Sequence, residues 1–231
     1  MRRQCSSRYE REARQNGWQC IAGLDEVGRG SLFGPVVAAA VILNRKRRIV
    51  GLDDSKKLRP ERREQLAERI REHAIAWAIA EIDASRIDAW NIYQASRQAM
   101  VLALSQLSIS PDYLLIDAME LDLAIEQRSL IHGDCLSVSI AAASILAKVE
   151  RDRIMVEFDQ IYPQYGLINN KGYGTPEHLE ALRHHGPSPL HRYSFAPVRE
   201  SNCWAANATQ PPLPLATSSS TALPTPVSSD S

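Results

Sequence analysis

The stretch IAGLDEVGRGSLFGPVVAAAVIL, Ile21 to Leu43, decides how the chain folds. Its two apolar runs, at about 20–26 and 35–43, have strand length and are separated by glycine-rich sequence, which predicts two consecutive strands. Between them lie Asp25, Glu26 and the triplet Gly28-Arg29-Gly30, which a purely structural hairpin does not need. Side chains at the ends of buried strands are where a rigid sheet carries function. In a regular strand Asp25 and Glu26 point to opposite faces. They can serve one site only if the strand bends or ends there, and Gly28 and Gly30 permit that. The triplet is too short for a dinucleotide fingerprint, and no Walker lysine follows it. It reads as a turn whose bare backbone can approach a ligand. Arg29 is then either a phosphate contact or one half of an ion pair.

Further strands are predicted at about 75–82, 112–117 and 128–132, and helices at about 60–73, 86–106, 138–160 and 176–185. Pro60 suits the first turn of its helix, and Ser137 is a plausible N-cap. Alanines and serines from Ala141 to Ala147 would let the third helix lie close against a sheet. The order β-β-α-β-α-β-β-α-α reads as an α/β fold, a mixed central sheet flanked by helices with a helical C-terminal part. Residues 1–18 lack periodicity and read as a flexible or loosely helical arm. Residues 19–199 form one domain. From Glu200 the chain is rich in Pro, Ser, Thr and Ala and reads as a disordered tail, 200–231.

Composition narrows the function classes. The 231 residues carry 27 basic and 27 acidic side chains, so the net charge is zero and a globally basic nucleic-acid binder is not indicated. A local basic patch stays open, because binding follows charge distribution as well as its sum. The four cysteines are scattered with no C-x-x-C pair, which argues against zinc and disulfides and for a reduced, cytoplasmic protein. No apolar run reaches the ~18 residues of a membrane helix, and the charged N-terminus lacks the apolar core of a secretory signal. His184, His185 and His191 have no accompanying zinc-ligand spacing and read as loop residues.

Asp117 and Asp134 follow the fourth and fifth apolar runs, as Asp25 and Glu26 follow the first. Singly, each reads as a strand-ending or turn carboxylate. Gathered at one sheet edge, carboxylates about 4 Å apart repel by roughly 4 kcal/mol at an effective dielectric of 20. They would protonate unless cations hold them, and hard oxygen-rich sites suit Mg²⁺ or Mn²⁺. A two-metal carboxylate site is the usual machinery of phosphodiester hydrolysis, one ion acidifying the attacking water and both flanking the phosphorus. Lys56 and Lys57, in Asp53–Leu58, are a solvated turn on sequence alone. Lys148 would reach the carboxylates or a phosphate, or else pair with Asp152 one turn along its helix.

Taken together, GLDEVGRGSLFGPVVAAAVIL, LDDSKKL, LLIDA, the Gly133-Asp134 pair before SVSIAAASILAKVERDRIM, and KGYGTPEHLEALRHHGPSPLHRYSF resemble the ribonuclease HII family, the type 2 ribonucleases H, over about residues 20–198. The resemblance implies a ribonuclease H-like fold in which Asp25, Glu26, Asp117 and Asp134 are the catalytic and metal-holding residues, with Mn²⁺ or Mg²⁺ as cofactor. It implies that Gly28-Arg29-Gly30 senses a ribose 2′-hydroxyl in the minor groove, and that Tyr173 stacks on the next sugar. Lys56, Lys57 and Lys148 would join these as substrate-binding residues. The implied activity is endonucleolysis of the RNA strand of RNA–DNA hybrids and at single ribonucleotides embedded in DNA, as in ribonucleotide excision. It leaves 5′-phosphate and 3′-hydroxyl ends, and the enzyme would act as a monomer in the cytoplasm. The competing readings are a non-catalytic hybrid-binding module and the type 3 ribonuclease H. Two departures stand out. Ser31 takes the place of a common proline, which predicts a looser turn, and Ala118-Met119 replaces a Gly-Asn-like pair, which predicts a changed loop.

Overall fold

The computed structural model describes residues 5–201. Five strands, β1 (Ile21–Val27), β2 (Val36–Ile42), β3 (Ala76–Ile82), β4 (Tyr113–Asp117) and β5 (Glu126–Leu130), form one sheet in the order β3-β2-β1-β4-β5. β1, β2 and β3 pair antiparallel, whereas β4 and β5 join parallel to the other edge of β1. The mixed sheet with flanking helices expected from the pattern is therefore present. β5 begins two residues earlier than the apolar run suggested, because its first residues, Glu126 to Arg128, form an edge strand that does not need apolar side chains.

The helices are α1 (Arg8–Gln15), α2 (Pro60–His73), α3 (Ala84–Trp90), α4 (Ile92–Ser105), α5 (Val138–Ile161), α6 (Leu167–Asn170) and α7 (Pro176–His185). Alternation along β2 separates two core layers. Val37, Ala39 and Val41 pack with α5 and α2, while Ala38 and Ala40 pack with Ala95, Ala99 and Met100 of α4. Where one helix was expected over 86–106 there are two. Asn91 sits at φ 70° and breaks the helix, and its side chain accepts a hydrogen bond from the Gln94 N–H to cap α4.

The segment expected as a flexible arm carries α1. Glu10 is buried there and accepts hydrogen bonds from the Ser137 hydroxyl at 2.6 Å and the Ser139 N–H at 2.9 Å, which ties α1 to the start of α5. Helical backbone continues through 196–201, and Val198 is buried. The tail expected from Glu200 otherwise lies outside the described residues.

α5 sets the geometry of everything that follows. Its small residues Ala141, Ala142, Ala143, Ser144 and Ala147 are all buried, and it crosses directly over β1. A Cβ added to Gly23 would stand 2.1 Å from the Ser139 carbonyl carbon, so only glycine admits this approach. Gly23→Ala should therefore cost about 3 kcal/mol, at the upper end for overpacking, because backbone must move. Chemical denaturation measures this, and an unchanged midpoint would mean α5 does not lie so close.

Candidate active site

Parallel pairing brings the first two carboxylates together. The β1–β4 register runs from Ile21 opposite Tyr113 to Leu24 opposite Ile116, so the next step sets Asp25 beside Asp117. Both lie on the α5 face, where Asp25 follows Gly23 by two residues and is only 4% exposed. The Glu26 N–H donates to Asp25 Oδ1 at 2.7 Å. Asp117 Oδ1 accepts from the Gly133 N–H at 2.6 Å, which pins the short 3₁₀ turn Gly133–Cys135 against the end of β4. That turn carries Asp134, itself buried. Glu26 stands one residue from the end of β1, close enough for the Asp117 charge to act on it.

The electrostatics follow from this crowding. Burial first, then the Glu26 and Asp117 charges, push the Asp25 carboxyl well above its usual range, while a hydrogen bond from Ser144 of α5 opposes them. Glu26 is pushed up to about 7 by burial and by Asp117, against the pull of Arg29. Burial also raises Asp117, with Asp134 adding to it, and raises Asp134, with Asp54 adding to it. Glu26 Oε1 has Arg29 Nη1 at 3.4 Å, but Glu26 Oε2 is buried with no hydrogen-bond partner among the described residues. A buried carboxylate oxygen without a donor, in a cluster of oxygens with raised proton affinity, fits a hard divalent cation.

The Asp53–Leu58 loop forms one wall. Lys56 Nζ lies 3.9 Å from Asp134, and Lys57 Nζ donates to Cys135 Sγ at 3.2 Å and faces Asp53 and Asp54. Ser55 and Ser144 share a hydroxyl hydrogen bond at 3.0 Å, which clamps this loop to α5. Ligand atoms of Asp54, Asp134 and Cys135 lie within 4.8 Å of one another. Sequence reasoning passed over Asp54 and Cys135, because neither follows an apolar run as the other carboxylates do. Lys148 is not brought to the carboxylates. It pairs with Asp152 at 2.6 Å, and Arg63 of α2 takes the other oxygen of the same carboxylate at 3.3 Å.

The opposite wall is the Gly28–Ser31 turn laid against Lys171–Gly174. The Leu32 N–H donates to the Gly172 carbonyl at 2.8 Å, and Ser31 bridges Tyr173. Beneath both lies Arg151 of α5, 0% exposed. It donates to the carbonyls of Pro35, Phe33 and Lys171 and to Ser31 Oγ, the last at 2.7 Å. Its guanidinium also sits 5.5 Å from the Tyr173 ring centroid. Gly28, at φ 98°, leaves the room Arg151 occupies, since a Cβ there would lie 2.2 Å from Arg151 Nε. Gly30 faces open space, with nothing within 4 Å of an added Cβ. The two glycines thus have different causes, one internal packing and the other access.

Ser31 does not loosen the turn as expected. Its N–H reaches the Gly28 carbonyl at 3.3 Å, and its buried hydroxyl accepts from Arg151 and donates to the Phe33 carbonyl. Ala118 takes φ 47°, a left-handed backbone that glycine adopts freely and that costs another residue about 1–2 kcal/mol.

A histidine pair, missed in the sequence, supports Tyr173 from behind. The Ser188 N–H donates to His191 Nδ1 at 2.9 Å, so His191 carries its proton on Nε2. That proton points to His178 Nε2 at 3.1 Å, which leaves His178 Nδ1–H to donate to the Tyr173 carbonyl at 3.0 Å. Burial holds both rings neutral, with His191 pushed down to about 3. Tyr173 itself is 36% exposed and presents its ring at the surface.

Comparison with known proteins agrees with this geometry. The family model described as Ribonuclease HII matches residues 22–198. The chain is 60% identical to the ribonuclease HII of Solibacter usitatus over 195 residues, 84% of this chain and 86% of that protein. Its fold matches the ribonuclease H2 of Pyrococcus horikoshii OT3 with a TM-score of 0.69 and 25% identity, covering 80% of this chain and 97% of the other. It also matches Bst-RNase HIII, solved in complex with Mn²⁺, with a TM-score of 0.65 at 24% identity, over 84% and 73% of the two chains.

The raised carboxyls make folding pH-dependent when no cation is bound. A carboxyl that holds its proton more tightly when folded stabilises the protein fully below its unfolded value near 4, and that contribution is lost as pH rises through the folded value. For Glu26 that window closes at about 7. The melting temperature of chelator-treated protein should therefore fall by roughly 5 °C or more from pH 5 to pH 8. Added Mn²⁺ should restore it, and a melting temperature indifferent to both pH and Mn²⁺ would contradict the cluster.

Proposed function

The chain belongs to the ribonuclease HII family, endoribonucleases that cut RNA in RNA–DNA hybrids, and we propose how its residues divide that work. Asp25, Glu26, Asp117 and Asp134 hold two divalent cations, Mn²⁺ or Mg²⁺. The observation that carries this is the buried, partnerless Glu26 Oε2 inside a cluster of four carboxyls with raised proton affinity. When bound, such cations neutralise the phosphate and supply an acidified water as nucleophile. The carboxylates must shed their protons to bind them, so loading the site releases protons.

The walls select the substrate. The open backbone at Gly30 and the Arg29 side chain meet the 2′-hydroxyl of the ribonucleotide, and the exposed Tyr173 ring stacks on the following sugar. Lys56 and Lys57 face the strand that crosses the carboxylates, whereas Lys148 is committed to Asp152 and has no direct part. The products carry a 5′-phosphate and a 3′-hydroxyl. The enzyme works as a monomer in the cytoplasm on hybrid duplexes and on single ribonucleotides in DNA. Among the described residues no helix is long and apolar enough to cross a membrane.

One net hydrogen bond contributes ~0.5–1.5 kcal/mol, so a 2′-hydroxyl contact gives at most about tenfold discrimination through binding. Picking one ribonucleotide among many deoxynucleotides needs more, so the contact must also act on the transition state. The buried Arg151 and the histidine pair hold the turn and Tyr173 to a single geometry that such alignment requires.

Two assays test this. On a duplex with one embedded ribonucleotide, Asp25→Asn should lower cleavage at least about a thousandfold in Mn²⁺ or Mg²⁺. Activity only on continuous RNA would instead match the type 3 enzyme. Tyr173→Ala should lower turnover about 10- to 100-fold while the dissociation constant changes less than about threefold. Normal turnover with much weaker binding would contradict the assigned role.

A further inference from the structure

A second hollow lies away from the carboxylate site. It is a groove of about 880 Å³ between α1 and the 44–52 segment that follows β2. Five arginines line it: Arg11 and Arg14 from α1, and Arg45, Arg47 and Arg48 from the segment after β2. Among the described residues none has a carboxylate within salt-bridge distance, and only Arg11 has a side-chain hydrogen bond, to Ser7 Oγ at 2.8 Å. Two acidic residues share the lining. Glu10 is buried and spent on Ser137 and Ser139, and Asp53 sits at the rim facing Lys57.

Arg11, Arg45, Arg47 and Arg48 are exposed, but they gather around one hollow instead of spreading over the surface. The net charge of the whole chain is zero. Yet two segments about thirty residues apart turn their arginines into one hollow, where like charges repel and the low-dielectric walls concentrate the field. Arginine suits phosphate, because its planar fork donates two parallel hydrogen bonds. The groove also adjoins the active site. Asp53 lines the groove and faces Lys57, whose ammonium reaches Cys135 beside Asp134. One loop therefore separates the groove from the carboxylates, and a nucleic-acid backbone leaving the cleavage point past Lys56 and Lys57 meets these arginines next.

We propose that the arginine groove between α1 and residues 44–52 is a second phosphate-binding track, gripping the substrate backbone beyond the cleavage point. This rests on the hybrid-cleaving activity proposed above. The groove adds affinity and salt dependence on long substrates and leaves the chemistry at the carboxylates untouched. An acidic protein segment is the other occupant such a groove could take.

The test compares hybrids of about 12 and about 30 base pairs, cleaved centrally, using wild type and a variant combining Arg45→Gln, Arg47→Gln and Arg48→Gln. On the long hybrid the variant should bind about tenfold more weakly at low salt, with the slope of log affinity against log salt reduced by about 2 to 3. On the short hybrid, affinity should stay within about twofold and turnover should match wild type. The corresponding triple lysine variant should keep most of the long-hybrid affinity, since the charge remains. The track is refuted if the glutamine variant retains its length-dependent gain, as an acidic protein occupant would require. Equal losses on both lengths, or failure of lysine to compensate, refute it as well. A wild type that cleaves neither hybrid would sink the underlying activity instead, which is a separate result.

Discussion

Parallel pairing between β1 and β4 is the constraint on which the molecule depends, because it sets Asp25 beside Asp117 on the face covered by α5. Two carboxylates at about 4 Å repel by roughly 4 kcal/mol at an effective dielectric of 20, and burial adds to the cost of charging them. The fold accepts this because the apolar residues of β1, β2 and β4 leave no other register. Shifting a strand by one residue would turn Leu24 and Ile116 out of their core layer. The hydrophobic pattern therefore enforces an electrostatic arrangement that is unfavourable by itself, and a cation relieves it.

α5 is the counterpart of that constraint. Along one helix, Ser139 fixes the distance to β1, Ser144 donates to Asp25 and clamps the Asp53–Leu58 loop, and Arg151 holds both the Gly28–Ser31 turn and the Tyr173 loop. Arg151 is a buried cation satisfied by carbonyl oxygens and one hydroxyl rather than by a carboxylate. It therefore costs desolvation while cross-linking the Ser31–Pro35 segment and the Lys171 loop to α5. Removing it would leave several carbonyls without donors, a larger loss than any exposed ion pair could cause. The carboxylate cluster and the Gly28–Ser31 and Tyr173 wall are thereby referred to one rigid element.

Much of this was legible in the sequence. Periodicity placed β1 to β4 and the main helices, because β1, β2 and the middle of β4 are buried and apolar, whereas the polar edge strand β5 was caught only at its end. The carboxylates stood out because each interrupts or follows such a run. What escaped were features whose signal is tertiary. α1 is tied down by buried Glu10 and Ala13 and by the Glu12–Arg128 ion pair, and Glu10 looks like any surface glutamate in a polar stretch. His178 and His191 lie thirteen residues apart and acquire meaning only when α7 folds back. Arg151 sits in a helix rich in charge, and nothing local marks it as the charge that goes inside. Ser31 shows the same limit from the other side. As a substitute for proline it suggests lost rigidity, but its hydroxyl gains an Arg151 contact that no local rule contains.

The charge layout gives the site an order of events. The cluster is a concentration of acid, flanked by Lys56 and Lys57 and, beyond them, by the arginines of the groove, in a chain whose net charge is zero. Without a cation the carboxylates repel a phosphodiester at the position where it must be cut, while the flanking basic residues attract it. The backbone is then held at the margins and excluded from the centre. Bound cations would displace the protons that these carboxyls hold and bring positive charge to the centre, so the polarity would be attractive along the path of the strand. Seating of substrate would then be coupled to metal loading through electrostatics, on a scaffold that Arg151 cross-links.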